Sequence, residues 1–258
     1  MSRLPGEHAM DWGLANRMAR ILKPDTGRTV MLAVDHGYFL GPTGGLEEPG
    51  KTIVPLLPYA DSLMLTRGVL RGCVPPQSDV PIVLRISGGT SILRELSQEG
   101  LTVAFEDAIR LNVAAITMSI FVGTEGERET LLNLSKAVDA GEKYGIPVLA
   151  VTAVGKDMVR DARYLGLACR IAAELGAHMV KTYHCEGFAE LVRSTPVPVV
   201  IAGGKKLPER DAIELAWKAV RDGARGCRAR QPKRITKGRC SLITLNRSRP
   251  LPLAKTKD

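Results

Sequence analysis

The sequence predicts an α/β chain folded as a (β/α)8 barrel of the TIM type, with its eighth βα unit incomplete. Three observations predict it. Apolar strand-like runs alternate with amphipathic helical stretches. No linker rich in Gly, Ser or Pro interrupts the alternation, and 258 residues suit one barrel better than two domains.

Seven strand-like runs stand at 29–36 (TVMLAVDH), 61–66 (DSLMLT), 81–87 (PIVLRIS), 113–122 (VAAITMSIFV), 146–154 (IPVLAVTAV), 177–184 (AHMVKTYH) and 197–204 (VPVVIAGG). They are apolar almost throughout, as strands covered on both faces of a parallel sheet must be. Between the fifth and sixth, Ala168, Ile171, Ala172 and Leu175 fall at i, i+3, i+4 and i+7 and form one apolar stripe, and Gly176 ends that helix. The segments 125–145 and 207–223 repeat the pattern, the second with Pro208 near its first turn. An open doubly wound sheet would share this alternation, but seven successive units favour the closed barrel. Ahead of the first strand, 9–22 predicts a short helix whose Trp12, Leu14, Met18 and Ile21 cover one barrel end.

At Ala224 the pattern breaks. Residues 224–258 hold 11 Lys and Arg against one Asp, and they lack amphipathic spacing. This divides the chain into a catalytic barrel, 1–223, and a basic, irregular tail, 224–258. A frameshift in the coding sequence would produce such a break. The net charge of +9 belongs to the tail, because 1–223 carries 25 basic and 26 acidic residues. A nucleic-acid partner is therefore not expected of the barrel, and a basic tail without interleaved aromatics is ordinarily only solvated.

No stretch reaches the roughly 18 apolar residues of a membrane span, so the expectation is a soluble, cytoplasmic protein. The five cysteines are scattered, odd in number and without CxxC spacing, which fits reduced thiols. The four histidines show no metal-binding spacing, and no metal is expected.

In a parallel barrel the chemistry sits at the carboxyl ends of the strands. That rule selects Asp35 and His36 on strand one, Arg85 and Ser87 on strand three, Lys181 on strand six, and Gly203 and Gly204 on strand seven. Lys181 lies in MVKTY among residues that seek burial, and a buried ammonium must find a counter-charge or lose its proton. A neutral amine attacks a ketone to form an imine. A structural ion pair with Asp35 explains the residue equally well. Asp35 could shuttle protons or cap a turn. Arg85 within a strand needs an acidic partner or an anionic ligand. Gly203-Gly204, followed by two lysines, suits a phosphate or merely a turn. Cys185 is read as an inert thiol.

The stretches AMDWG, TVMLAVDHGYFLGPTGGLE, LTRGVLR, PIVLRISGGTSIL, AVTAVGKDMVRDARY, MVKTY and PVPVVIAGGKKLPER together resemble the DeoC/FbaB family of imine-forming aldolases, and within it the thiolase branch that acts in autoinducer-2 processing. The resemblance runs to about Gly223. It implies Lys181 as the Schiff-base lysine, Asp35 as acid/base and Gly203-Gly204 as half of a phosphate site. It further implies a decamer-like homo-oligomer, coenzyme A as co-substrate with no resident cofactor, and acetyl transfer from a phosphorylated dione. Ala153 stands where related aldolases carry a proton-donating Tyr, which favours the thiolase over a class I aldolase. The family's eighth strand, its GRN-type phosphate loop and its last helix have no counterpart after Gly223, and Arg225 and Arg228 do not restore the loop. Strands one and seven should then keep unpaired edges, with stability and turnover reduced; the other alternative is an inactive barrel whose basic tail binds polyanions.

Overall fold

The computed structural model describes residues 10–154, 160–203 and 207–229. In chain order, helix α1 (Trp12–Ile21) leads into strand β1 (Thr29–Ala33). Helices α2 (Gly37–Leu40) and α3 (Pro49–Ile53) then precede β2 (Ser62–Thr66), and α4 (Arg67–Cys73) precedes β3 (Ile82–Arg85). A small antiparallel hairpin, β4 (Ser87–Gly88) with β5 (Gly100–Leu101), interrupts the third unit before α5 (Phe105–Arg110). The remaining units are β6 (Ala115–Val122) with α6 (Glu127–Tyr144), β7 (Val148–Val154) with α7 (Ala162–Glu174), β8 (Met179–Tyr183) with α8 (Phe188–Ser194), and β9 (Val199–Ala202) with α9 (Glu209–Arg221). Strand β10 (Gly226–Ala229) comes last.

Eight parallel strands form a closed barrel in the ring order β1, β2, β3, β6, β7, β8, β9, β10. This corrects the expectation of open edges on the first and seventh strands. Gly226 to Ala229 pair with Thr29 to Leu32 on one side, and Gly226 and Cys227 pair with Val200 and Ile201 on the other. The reason is that a ladder is made by backbone groups, and two strand edges with unpaired N–H and C=O groups will accept any extended segment that fits between them. Gly226 fits because it is glycine: a Cβ there would lie 2.4 Å from the carbonyl oxygen of Thr29. Residues 230–258, the greater part of the basic tail, lie outside the described residues.

Helix α1 begins at Asp11, whose carboxylate accepts the backbone N–H of Gly13 at 2.8 Å. Its Met18 and Ile21, with Leu22 just beyond, are buried against Met31, Met64, Val83, Leu149 and Met179, so the helix plugs the amino-terminal end of the barrel. Each such side chain contributes about 1.5–3 kcal/mol when fully buried. Trp12 does not take part, being 77% exposed. The predicted helix ends hold at α6 and α7: Gly145 takes the left-handed conformation after α6, and Gly176 (φ 92°) follows α7. Among the described residues no helix is long and apolar enough to cross a membrane.

Candidate active site

Side chains on a strand alternate between faces, so the plug residues define which positions point inward. Two residues beyond inward Ala33, Val83 and Met179 come Asp35, Arg85 and Lys181, and four beyond Ala115 comes Ser119. A polar layer therefore sits directly above the apolar one, toward the carboxyl ends of the strands. All four are buried, with Asp35 at 4%, Arg85 at 5%, Ser119 at 5% and Lys181 at 2% relative exposure.

Arg85 is the hub of this layer. Its Nη1 donates to Asp35 Oδ2 at 3.0 Å, and its Nε donates to the Ser87 carbonyl at 3.2 Å. Its Nη2 faces both oxygens of Glu99 at 2.8 and 2.7 Å, Ser119 Oγ at 2.6 Å and the Tyr38 hydroxyl at 3.0 Å. Four oxygens thus compete for the two hydrogens of one nitrogen. The Glu99 carboxylate also accepts from Ser87 Oγ at 2.7 Å and from the Tyr38 hydroxyl. Ser87 Oγ in turn accepts the backbone N–H of Ser119 at 3.1 Å, which ties the hairpin to β6.

Burial works against the guanidinium charge, but Glu99 and Asp35 outweigh it and hold Arg85 protonated. Burial likewise pushes the Tyr38 hydroxyl above its ordinary range, with Arg85 opposing and Glu99 reinforcing the shift. Tyr38 therefore stays neutral and donates. One guanidinium thus bridges two buried carboxylates.

Lys181 approaches from the opposite wall. Strand β8 faces β2 across the ring, and Lys181 Nζ spans the interior to reach Met64 Sδ at 3.0 Å. Met64 is in register with Ala33 on one side and Val83 on the other. The amine thus arrives one layer beneath the Asp35–Arg85 pair. Thr117 Oγ1 closes this level by donating to the Leu149 carbonyl at 2.9 Å.

The site residues expected from sequence divide into three groups. Asp35, Arg85 and Ser87 are joined in one hydrogen-bonded cluster, with buried His36 next to Asp35 at the start of α2. Lys181 stands on the opposite wall, with its Nζ at Met64 Sδ. Gly203 follows β9, adjacent to β8 and diametrically across the ring from β3, so it belongs to Lys181's side of the mouth and not to Arg85's. Gly204 lies outside the described residues, as do the two lysines that follow it, Lys205 and Lys206. Ala153 pairs with Phe121 two positions above Val151, the partner of Lys181. Burial and nearby Asp161 push the Cys185 thiol up, which does not suit a nucleophile. Sequence reasoning missed Glu99, Tyr38 and Ser119. The requirement that buried Arg85 find an acid was the one available signal for Glu99, and it did not say which acid.

The chain belongs to the DeoC/LacD family of aldolases, whose profile matches residues 29–229. Among its relatives are proteins named 3-hydroxy-5-phosphonooxypentane-2,4-dione thiolase. The one from Enterobacter sp. (strain 638) is 57% identical over 224 residues, covering 86% of this chain and 76% of the relative. The one from Escherichia coli (strain K12) is 55% identical over 224 residues, covering 86% of this chain and 77% of the relative. Of solved structures, a Schiff-base-forming fructose-1,6-bisphosphate aldolase superposes with a TM-score of 0.73 at 25% identity, over 83% of this chain and 90% of that one. An archaeal fructose 1,6-bisphosphate aldolase with a TM-score of 0.74 at 24% identity, over 84% of this chain and 90% of that one, shares the fold.

Proposed function

We propose that this chain is a thiolase of the aldolase family that moves an acetyl group from 3-hydroxy-5-phosphonooxypentane-2,4-dione to coenzyme A and leaves dihydroxyacetone phosphate, in the breakdown of autoinducer-2. The observation that carries the reading is the amine of Lys181, 2% exposed on the central position of β8 and extended across the barrel interior to Met64 Sδ, next to the strands that carry Asp35 and Arg85. The identity of 57% to proteins named for this reaction supports the substrate assignment.

Lys181 in its neutral form attacks the ketone next to the phosphorylated carbon, and loss of water gives a protonated imine. Attack of the coenzyme A thiol on the acetyl carbonyl then breaks the adjacent C–C bond. The bonding pair enters the imine as an enamine, and acetyl leaves as the thioester. Protonation of the enamine carbon and hydrolysis return the ketone product and the free amine. Asp35, fixed through one carboxylate oxygen by Arg85, carries the protons that these steps need. Gly203, which follows β9, supplies a backbone N–H for the phosphate, and the family resemblance assigns Gly204 to the same task. Arg85, Ser87 and His36 line the opposite wall of the substrate space. Coenzyme A enters as a co-substrate, with no resident cofactor. The free cysteines among the described residues suit a reducing cytoplasm, and a homo-oligomer accords with the family.

Incubation with dihydroxyacetone phosphate followed by borohydride reduction tests the reading. The expected result is a mass increment on the peptide bearing Lys181, absent in Lys181→Arg; folded protein without the adduct overturns it. Loss of the dione only when coenzyme A is present separates thiolase from class I aldolase. Ala153, a side chain without a proton to give, is the observation that favours the thiolase.

A further inference from the structure

Glu99 is a charged group in the site for which the proposed reaction gives no task. It is 3% exposed, and it sits on no barrel strand. The β4–β5 hairpin folds back, pairing Ser87 with Leu101 and Gly88 with Gly100, and brings Glu99 to Arg85. The hairpin is seated against the start of α6: a Cβ on Gly126 would lie 2.1 Å from the Ser97 carbonyl oxygen, so the backbones approach closely there. A surface hairpin would normally leave a glutamate in water, because burying the charge costs several kcal/mol even after relaxation. Here the carboxylate takes donors from Arg85, Ser87 and Tyr38 at once.

The guanidinium divides its attention. Nη1 serves Asp35 at 3.0 Å and Nη2 serves Glu99 at 2.7 Å. A cation beside a carboxylate lowers its proton affinity, and a second anion on the same cation weakens that effect. We propose that Glu99 is a positioning residue which, acting through Arg85, raises the proton affinity of Asp35 and so tunes it for proton transfer at the Lys181 imine. The role assigned to Asp35 rests on the function proposed above, whereas the coupling from Glu99 through Arg85 to Asp35 is a property of the resting protein. Among the described residues, the charged and titratable groups on the elements around Asp35 include Arg85 on β3, Glu99 from the hairpin, Tyr38 on α2, adjacent His36, and Lys181 on β8 across the ring. Glu99 and Tyr38 act on Asp35 with opposite sign. The Tyr38 hydroxyl donates to Glu99 and shares its charge, so removing that hydroxyl leaves Glu99 to bear more heavily on Arg85.

The experiment is a carboxyl titration by 13C NMR on protein carrying carboxyl-labelled aspartate, with the Asp35 signal assigned through Asp35→Asn. In Glu99→Gln the Asp35 midpoint should fall by about one pH unit. In Tyr38→Phe it should rise. Glu99→Asp should restore the midpoint toward that of the unsubstituted chain. An unmoved or raised midpoint in Glu99→Gln overturns the proposal. Should Glu99→Gln fail to give a cooperative melt, Tyr38→Phe decides alone, and an unmoved or lowered midpoint there overturns it equally. In turnover, the limb of the kcat/KM profile that reports Asp35 should move with the NMR midpoint in each variant, while KM stays within about twofold. Lower turnover without movement of the limb marks a merely structural role and counts against the proposal. Borohydride trapping on Lys181 is scored separately: its failure in the unsubstituted chain removes the imine, whereas the Asp35 titration still answers the question about Glu99.

Discussion

At and below the level of Met64 the barrel interior is filled by Met18, Ile21, Leu22, Met31, Val83, Leu149 and Met179; above it stand Asp35, Arg85, Glu99 and Ser119, with Lys181 rooted in that upper layer and its amine at the boundary. The two layers are equally dry, and they are carried by the same strands two residues apart. The lower one gains free energy from every methylene it hides. The upper one pays desolvation for each charge and recovers it only through pairing. A polar layer of this kind survives where it does work that packing cannot, so the layers should respond to substitution in opposite ways.

The largest effect should come from Lys181→Met. It removes the amine and extends the apolar layer upward, so turnover should fall by on the order of 10^4-fold or more while the melting temperature holds or rises. A clear drop in melting temperature would show that the lysine is structural. Arg85→Met should unfold the upper layer, since it removes the guanidinium that bridges Asp35 and Glu99. The expected loss is about 3–5 kcal/mol by urea titration, the cost of breaking a buried ion pair from one side. Ile21→Ala in the plug should cost about 2–5 kcal/mol and leave the pH dependence of turnover unchanged. If that profile shifts, the layers are not independent.

Smaller effects fall on the rim. Gly226→Ala should cost about 1–3 kcal/mol, because the new methyl would press on the Thr29 carbonyl. His178, buried at the amino-terminal end of β8, accepts the Val148 N–H through Nδ1 at 3.1 Å and faces Glu142 through Nε2 at 3.0 Å. Burial lowers its proton affinity, with Glu142 opposing. A depressed folded-state value means stability that is full above the unfolded value near 6.5 and is lost as pH falls through that value toward the folded one. The slope is at most about 1.4 kcal/mol per pH unit. His178→Gln should flatten this acid limb in melts run between pH 7 and about 5.

Much of this architecture is legible in the sequence because parallel barrel strands are covered on both faces and read as unbroken apolar runs, which is how 115–122 and 148–154 announce themselves. Strand β10, Gly-Cys-Arg-Ala, has no such run, and its conformation is dictated by the two edges that receive it. The site was legible in the same measure. Asp35, Arg85 and Lys181 stand out as charges within or just after apolar strands. Glu99 lies in a loop, where no period tells which way a side chain returns, and only the fold of the hairpin brings it to Arg85.

Joining β10 to β1 also sets an order of events during synthesis. The residues that pair across this seam, Thr29 to Leu32 with Gly226 to Ala229, are among the most distant in the chain, so the ring cannot shut until almost all of the barrel has left the ribosome. Until then the nascent sheet presents two sticky margins, β1 and whichever strand emerged last. Aggregation in this interval, and the help of chaperones against it, should depend on how quickly those four residues arrive.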